Sequence, residues 1–312
     1  MLQINKLEKN YGKFRALDGL NLEIKKGEIF GFIGPNGAGK STTMKIISGL
    51  LTADSGEVYV GGVNALKQYK KVKEKIGYMP DFFGTYTNLK ALEYLEFFAS
   101  TYGIIGAKSK KLGMELLELV NLQDKYDSEV DGLSRGMKQR LCLARCLIHN
   151  PELLILDEPA SGMDPRARFE MKGILKNLRE MDKTVLVSSH ILPELGEICT
   201  QIGIINHGKM VCVGTVDEVM AQFSGNAPLR ITVIEDCEKA MMLLKEQPNV
   251  VKVSAEENQI HCQYQGGMYE ISHLIKVLVQ NDIPIIGIDK EVANLEDVFM
   301  KITESDEEEM VK

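Results

Sequence analysis

A glycine-rich segment directly after a short apolar run is the feature that most constrains the fold of this chain. The run Ile29–Ile33 is typical of a buried strand, and Gly34–Ser41 (GPNGAGKS) fits the pattern G-x-x-x-x-G-K-[ST]. A helical pattern continues over Thr42–Leu50. Glycines allow consecutive backbone N–H groups to turn towards a phosphate, and the positive end of the helix dipole adds to the attraction. The sequence therefore predicts a loop that binds the phosphates of a nucleoside triphosphate.

The individual residues of this loop have distinct expected roles. We expect Lys40 to reach the β- and γ-phosphates and the hydroxyl of Ser41 to bind Mg²⁺. The other residues predicted to contact the nucleotide here are Gly34, Pro35, Asn36, Gly37, Ala38, Gly39 and Thr42.

A second apolar strand, Leu153–Leu156, ends in two carboxylates. Asp157 is suited to binding Mg²⁺, directly or through water, and Glu158 is suited to polarising an attacking water as a general base. Ahead of this strand, Leu133–Arg140 opens a helix that Ser134 can cap, and the start of that helix is a second candidate anion site. Because a monomer with one triphosphate has no obvious use for two such sites, the sequence indicates a partner.

Apolar strands separated by helical segments indicate an α/β fold with a sheet covered on both faces. We predict this domain over residues 1–223, with a helical subdomain inserted at about 88–150. A linker follows, and residues 229–303 have the order β-α-β-β-α-β of a small ferredoxin-like α+β domain. The acidic tail at 304–312 is expected to be solvated and disordered.

Composition narrows the choice of partner and compartment. The net charge of −7 argues against a nucleic-acid partner, because phosphate backbones are bound mainly through positive charge. No segment approaches the roughly 20 apolar residues of a membrane span, and no secretory signal is visible. The six cysteines form no CxxC pair, so we expect reduced thiols in a cytoplasmic protein.

Taken in order, these motifs resemble those of the nucleotide-binding subunit of ATP-binding cassette (ABC) transporters, over residues 1 to about 220. Gly34–Ser41 is similar to the Walker A motif, Leu133–Gln139 to the signature, and Leu153–Asp157 to Walker B. The match extends to three shorter elements. Ser161–Asp164 resembles the D-loop, His190 resembles the switch histidine, and Tyr11 resembles the aromatic residue that stacks on adenine.

The resemblance implies a Mg²⁺-dependent ATPase that works as a dimer of nucleotide-binding subunits, identical or different. Ser134 and Gly136 of one subunit would contact the γ-phosphate held by the other, while Glu158 and His190 would act in hydrolysis. The dimer would move a separately encoded membrane-spanning permease from the cytoplasmic face of the cell membrane. The LSRGM signature and the appended domain are similar to the exporter-type branch, which serves drug, antibiotic, lipid or ion efflux.

One residue departs from the family pattern. Asp81 follows Tyr78–Pro80, where members of the family usually have a glutamine that contacts Mg²⁺ and the attacking water. The carboxylate of Asp81 is still able to bind Mg²⁺ through water, so it stays among the candidate catalytic residues. Because it adds negative charge near the γ-phosphate, we expect a slower or more tightly gated ATPase.

Three other functions remain open from the sequence. A soluble ABC ATPase acting on the ribosome or DNA usually has two cassettes, or a long coiled-coil or basic linker, and this chain shows one cassette and an acidic balance. A phosphotransferase has no use for Leu133–Gln139 or Glu158. An importer subunit differs only in the direction of transport, which this sequence does not encode.

Overall fold

A computed structural model of the chain shows three β-sheets among the residues that it describes. The structure describes residues 1–82, 84, 88–189, 192–223 and 229–290, and the chain divides into two compact units, Met1–Val216 and Asp217–Lys312. The linker predicted at 224–228, the end of the predicted second domain and the acidic tail therefore lie outside the described residues, as does His190.

The first unit contains an antiparallel sheet and a mainly parallel one. The strands are β1 (Leu2–Tyr11), β2 (Phe14–Ile24), β3 (Ile29–Ile33), β4 (Ser55–Val60), β5 (Val63–Asn64), β6 (Ile76–Met79), β7 (Leu153–Leu156), β8 (Thr184–Ser188), β9 (Gln201–Asn206) and β10 (Lys209–Gly214). The antiparallel sheet has the order β2-β1-β4-β5, and the six-stranded sheet has the order β10-β9-β3-β8-β7-β6. Within the six-stranded sheet only the pair of β9 and β10 is antiparallel.

The helices of the first unit follow its strands in the alternation that the sequence predicts. They are α1 (Lys40–Ile47), α2 (Tyr69–Lys73), α3 (Ala91–Thr101), α4 (Ala107–Leu119), α5 (Arg135–Leu147), α6 (Pro165–Glu180) and α7 (Leu192–Ile198). The next helix, α8 (Val216–Phe223), begins at the last residue of the first unit and otherwise belongs to the second. The predicted end of the first domain at residue 223 coincides with the end of α8 and stays a prediction.

The parallel strands explain where the core lies. Every residue of β3, β7 and β8 is buried, and the sequence of each strand is accordingly largely apolar. On one face, Phe30, Leu153 and Leu186 share a core with residues of α1 and of the antiparallel sheet. Parallel strands also bring their carboxyl ends to one edge of the sheet. In register, Leu156 of β7 lies beside Val187 of β8, and β8 lies beside β3. The loops after these three strands therefore meet at one place.

The helices α3, α4 and α5 form the predicted helical insertion between β6 and β7. Tyr94 of α3 is buried, and its hydroxyl accepts a hydrogen bond of 3.0 Å from Arg145 of α5. Arg145 also lies over the ring of Phe98, with 5.0 Å between the guanidinium carbon and the ring centroid. These contacts pack the C-terminal end of α5 against α3.

The second unit has the element order β-α-β-β-α-β. Its elements are β11 (Leu229–Val233), α9 (Cys237–Lys245), β12 (Val250–Glu256), β13 (Gln259–Tyr264), α10 (Met268–Gln280) and β14 (Ile285–Lys290). The sheet is antiparallel in the order β12-β13-β11-β14, and its core includes Ile231, Ile260 and Leu274. Across both units, no described helix combines the length and apolar character that a membrane crossing requires.

Candidate functional site

The loop between β3 and α1 depends on two glycines with a backbone that other residues rarely adopt. Gly37 has φ 85° and Gly39, the N-cap of α1, has φ 112°. A Cβ at Gly39 would lie 2.7 Å from the carbonyl oxygen of Ala16, so a side chain is excluded by contact as well as by φ. No side chain caps α1, which leaves the N–H groups of its first turn available to an anion.

The side chain of Lys40 folds back over this loop. Its Nζ donates hydrogen bonds to the carbonyl oxygens of Gly34, at 2.5 Å, and Pro35, at 3.2 Å, and Lys40 is only 8 % exposed. Burial lowers the pKa of Lys40, while the charges of Glu158 and Asp157 oppose that shift. The ammonium group is therefore already largely desolvated, which reduces the cost of transferring it from these carbonyls to a phosphate.

Asp157 is fixed at the carboxyl end of β7. It is 3 % exposed, and its N–H donates to the carbonyl oxygen of Met79 at 2.8 Å. Its Oδ1 accepts a hydrogen bond of 2.8 Å from the hydroxyl of Ser188, which in turn accepts one of 3.0 Å from the N–H of Glu158. One buried hydroxyl at the end of β8 thus positions both acidic residues.

Sequence reasoning assigned no role to Ser188. The available signal was its place at the end of an apolar strand, immediately before Ser189 and His190. Its contact with Asp157 depends on β8 lying beside β7, which the sequence alone does not specify.

Glu158 has a strained backbone, with φ 52°. A left-handed conformation in a residue other than glycine costs about 1–3 kcal/mol and is often retained where function requires it. The carbonyl oxygen of Glu158 accepts a hydrogen bond of 3.1 Å from the N–H of Ser161, and its own N–H donates to Ser188. The turn that carries this carboxylate is therefore fixed on both sides.

These elements enclose a cavity of about 230 Å³. Its lining residues are Tyr11, Phe14, Ala16, Pro35, Asn36, Gly37, Gly39, Lys40, Ser41, Thr42, Asp81, Asp157 and Glu158. The structure therefore brings together most of the loop, both carboxylates, Asp81 and Tyr11. Gly34 and Ala38 belong to the same loop, but they are not among the described residues that line the cavity, and neither are Ser134, Gly136 and Asp164.

Tyr11 and Phe14 both line this cavity as exposed aromatic side chains, and the sequence predicts Tyr11 as the platform for an adenine base. The Nζ of Lys9 lies 5.9 Å from the centroid of the Tyr11 ring. Both rings present a face suited to a base, so the choice of Tyr11 stays a prediction.

Asp81 adds a third carboxylate to the lining of the cavity. Nearby, burial raises the pKa of Tyr78 to about 12, and the charges of Asp157 and Asp81 contribute to the same shift. The phenol of Tyr78 therefore stays neutral.

The start of α5 is built differently from the start of α1. Ser134 is the N-cap of α5, and its hydroxyl accepts a hydrogen bond of 3.3 Å from the N–H of Met137. Gly136 lies tightly against α6, because a Cβ there would be 2.8 Å from the Cβ of Ala167. The side chain of Gln139 donates to the carbonyl oxygen of Ser161 at 3.0 Å, which links α5 to the turn after Glu158.

Asp164 caps helix α6. Its Oδ1 accepts a hydrogen bond of 3.0 Å from the N–H of Ala167, and this bond is the main reason that the pKa of Asp164 is lowered. The side chain therefore has a structural partner within its own chain. The predicted contact of Asp164 with a nucleotide stays a prediction.

The oxygen ligands present fit a magnesium ion bound together with phosphate. Ser41 and Asp157 supply a hydroxyl and a carboxylate on the same cavity, and Mg²⁺ commonly takes one or two such protein ligands with phosphates and water completing its shell. Among the described residues, no three His, Cys, Asp or Glu side chains form a metal-binding group of their own.

A strand, glycine loop and helix that hold a buried lysine opposite paired carboxylates define a P-loop nucleoside triphosphatase. The family model described as ABC transporter matches residues 17–161. Among solved structures, the protein is similar to a dimeric structure of a post-hydrolysis state of the ATP-binding cassette MJ0796 bound to ADP and Pi. That match has a TM-score of 0.63 and 28 % identity, and it covers 69 % of this chain and 99 % of the other.

Relatives of known name extend the match to nearly the whole chain. The linearmycin resistance ATP-binding protein LnrL of Bacillus subtilis (strain 168) is 35 % identical over 305 residues, which is 97 % of this chain and 98 % of the relative. The bacitracin transport ATP-binding protein BcrA of Bacillus licheniformis is 35 % identical over 303 residues, or 97 % of each chain. This chain therefore belongs to the ABC transporter family, as one of its ATP-binding, ATP-hydrolysing proteins.

The comparisons confirm several of the sequence-based predictions. The resemblance to the ATP-binding subunits of exporter-type ABC transporters is confirmed by these relatives, and the P-loop ABC ATPase fold is confirmed by the similar cassette structure. ATPase activity is confirmed by the same family match.

Proposed function

We propose that this ATPase powers export through separately encoded membrane-spanning subunits, to which it attaches on the cytoplasmic face of the cell membrane. The observation that carries the catalytic part is the convergence of Lys40, Asp157 and Glu158 on one cavity. The export part is supported by the relatives matched over nearly their full length, whose names refer to antibiotic resistance and transport. Those names favour export over import, and they favour a transporter over an ATPase of the ribosome or DNA.

Within the cavity, each residue has a role that follows from its position. The N–H groups at the start of α1 and the ammonium group of Lys40 bind the phosphates of ATP. Ser41 and Asp157 hold Mg²⁺, which supplies charge stabilisation on the phosphates when it is bound. Glu158 orients the attacking water and accepts its proton. Ser188 holds the side chain of Asp157 and the backbone of Glu158 in place through its two hydrogen bonds.

The second subunit completes the site. Ser134 and Gly136 start a helix whose first turn is exposed at Ser134 and is separate from the cavity of the same chain. A head-to-tail pair of subunits places this helix start against the γ-phosphate that the other subunit holds. Asp164 and His190 belong to the same shared surface in this proposal. The support is the dimeric structure of the similar cassette and the separation of the two helix starts within one chain.

Asp81 sets the rate of this ATPase. A third carboxylate on the lining repels the developing charge of the γ-phosphate and of Glu158. Asp81→Gln should therefore raise the turnover number a few-fold, since removal of even about 1 kcal/mol of repulsion gives roughly a fivefold change.

Asp81→Asn is the matched control for this substitution, because it removes the charge and keeps the short side chain. If both variants are faster, the charge is responsible, and if only the glutamine variant is faster, the reach of the side chain is responsible. An unchanged or lower rate in both variants would contradict the role of Asp81.

Two experiments test the transport function. A tagged protein, purified from gently solubilised membranes of its own cell, should bring down a protein with several membrane spans. Cells that carry Glu158→Gln in place of the normal protein should then accumulate an antibiotic that normal cells expel. Recovery of ribosomal or DNA-associated proteins without a membrane protein would contradict the proposal and leave the ATPase chemistry intact.

A further inference from the structure

A short segment of this acidic chain is strongly basic. Residues 67–75 contain five lysines and one glutamate, whereas the whole chain has a net charge of −7. Lys75 pairs with Glu152 at 2.5 Å. The other four lysines are exposed, and none of them forms an ion pair within the described part of the chain. We call these four the basic patch: Lys67, Lys70, Lys71 and Lys73.

Large apolar side chains border the basic patch. Tyr69, the first residue of α2, is 47 % exposed, and Leu50, just after α1, is 62 % exposed. The two helices are adjacent here, since a Cβ at Gly49 would lie 3.6 Å from the Cβ of Tyr69 and 4.0 Å from the Cε of Lys73. The Nζ of Lys73 lies 5.3 Å from the centroid of the Tyr69 ring. Val72 is the buried residue that anchors α2 to the core.

We propose that the basic patch, with Tyr69 and Leu50, binds directly to the anionic lipid headgroups of a membrane. Clustered lysines beside a membrane are attracted to its negative surface, and each contributes about a fivefold gain in binding. Tyrosine has an apolar ring and a polar hydroxyl, which suits the headgroup level, and leucine adds apolar contact below it.

The arrangement of the charges favours lipid over an acidic protein surface. The lysines stand on flexible stems around a helix of only five residues, so they offer no fixed geometry to a particular carboxylate. A fluid layer of phosphates requires no such geometry. A protein that carries excess negative charge elsewhere would approach that layer only through a local positive region, and the basic patch provides one.

Flotation of the full chain with vesicles tests this inference. The protein should float with vesicles of equal parts phosphatidylglycerol and phosphatidylcholine and should not float with pure phosphatidylcholine. Higher salt should weaken the binding, because the Debye length falls from about 10 Å at 0.1 M to about 3 Å at 1 M. The triple variant Lys70→Gln/Lys71→Gln/Lys73→Gln should bind about 100-fold more weakly, at unchanged ATPase rate and melting temperature.

A matched control distinguishes binding through the basic patch from attraction through any exposed lysines of the chain. Helix α4 also has three exposed lysines within four residues, namely Lys108, Lys110 and Lys111. Replacing these with glutamine makes the same change in charge and should leave vesicle binding nearly unchanged. An equal loss in both triple variants would show diffuse attraction and overturn the proposal, as would equal flotation with neutral and anionic vesicles.

A fluorescent reporter tests the position of Tyr69 independently. The chain has no tryptophan, so Tyr69→Trp introduces a single one. Its emission should shift to shorter wavelength on addition of anionic vesicles, because the indole leaves water for the headgroup region. Phe169→Trp, at a side chain of α6 that is 76 % exposed, should show no shift. A shift only when an acidic protein partner is added, and none with vesicles, would assign the patch to protein binding instead.

Discussion

Two helices of this chain begin where an anion is expected, and they begin in different ways. Helix α1 starts at Gly39 in a left-handed conformation without a side-chain cap, next to the buried ammonium group of Lys40. Helix α5 starts at Ser134, whose hydroxyl already accepts a hydrogen bond from Met137. The first helix start is therefore open to a ligand within its own chain, whereas the second has one of its N–H groups capped by the exposed side chain of Ser134.

ATP hydrolysis in the cavity at the start of α1 should be the most sensitive to mutation. Glu158→Gln removes the carboxylate that we propose as the acceptor of a proton from water, so the ATPase rate should fall by at least about 100-fold. ATP affinity should stay close to normal, because the phosphates are bound by the loop and Lys40. A steady-state phosphate-release assay, together with equilibrium nucleotide binding, checks both statements.

Glu152→Gln is the control for this substitution, since it makes the same change at a partly exposed residue just before β7. It should leave the ATPase rate unchanged. Hydrolysis by Glu158→Gln at the normal rate would remove Glu158 from the mechanism.

A side chain at Gly39 should weaken nucleotide binding at the start of α1. Gly39→Ala forces alanine into φ 112° and places its Cβ 2.7 Å from the carbonyl oxygen of Ala16. The conformation alone costs about 1–3 kcal/mol, and the contact adds to this, so both stability and ATP affinity should fall. Thermal unfolding with and without ATP measures the two effects separately.

Gly173→Ala provides the comparison, because this glycine lies inside α6 and a Cβ there meets nothing within 4 Å. It should raise stability slightly, by up to about 1 kcal/mol. If Gly39→Ala binds ATP as well as the normal protein, the loop does not require glycine at this position.

The buried hydroxyl of Ser188 should matter more for catalysis than for binding. Ser188→Ala leaves Oδ1 of Asp157 and the N–H of Glu158 without the partner they share, at a cost of about 1–3 kcal/mol. A loss near the middle of that range in the transition state corresponds to roughly a thirtyfold lower turnover number. The Michaelis constant for ATP should change little.

Ser48→Ala is the matched control, since Ser48 is also buried and its hydroxyl donates to the carbonyl oxygen of Met44, away from the cavity. Equal effects of the two substitutions on turnover would show that Ser188 contributes only to stability.

Mutation of Ser134, which caps the start of α5, should have the smallest effect on an isolated subunit. Ser134→Ala removes the N-cap bond to Met137 and should lower the free energy of unfolding by about 1 kcal/mol. Nucleotide affinity of the monomer should not change, because Ser134 is not among the described residues that line the cavity. Titration of the monomer with a fluorescent ATP analogue checks this, and a weakened affinity would place Ser134 in the site of its own chain.

The same contrast explains how much the sequence could predict. The loop 34–41 and the carboxylates after β7 are local patterns that can be recognised in the sequence, and the structure brings them to one cavity. Ser188 is absent from that prediction because its role depends on β8 lying between β3 and β7. The link from Gln139 to Ser161 joins residues 22 positions apart and depends on how α5 packs, which no periodicity reveals.

The fold of the first unit was predictable for a similar reason. Buried parallel strands such as β3, β7 and β8 are continuous apolar runs, and the helices between them have clear periodicity. The strand order of the six-stranded sheet was not predictable, because it is set by contacts far apart in the chain. The roles of individual site residues, Asp81 above all, stay predictions until the variants are measured.

The most direct test of the account is the mass of the Glu158→Gln variant in solution, by light scattering, with and without ATP. We predict a mass of one chain without nucleotide and of two chains with ATP. In the proposed dimer, the start of α5 in each subunit covers the ATP bound at the start of α1 in the other. The double variant Glu158→Gln/Ser134→Arg should bind ATP and remain a single chain. A Glu158→Gln variant that binds ATP and stays monomeric, or a double variant that pairs as well as the single one, would contradict the account.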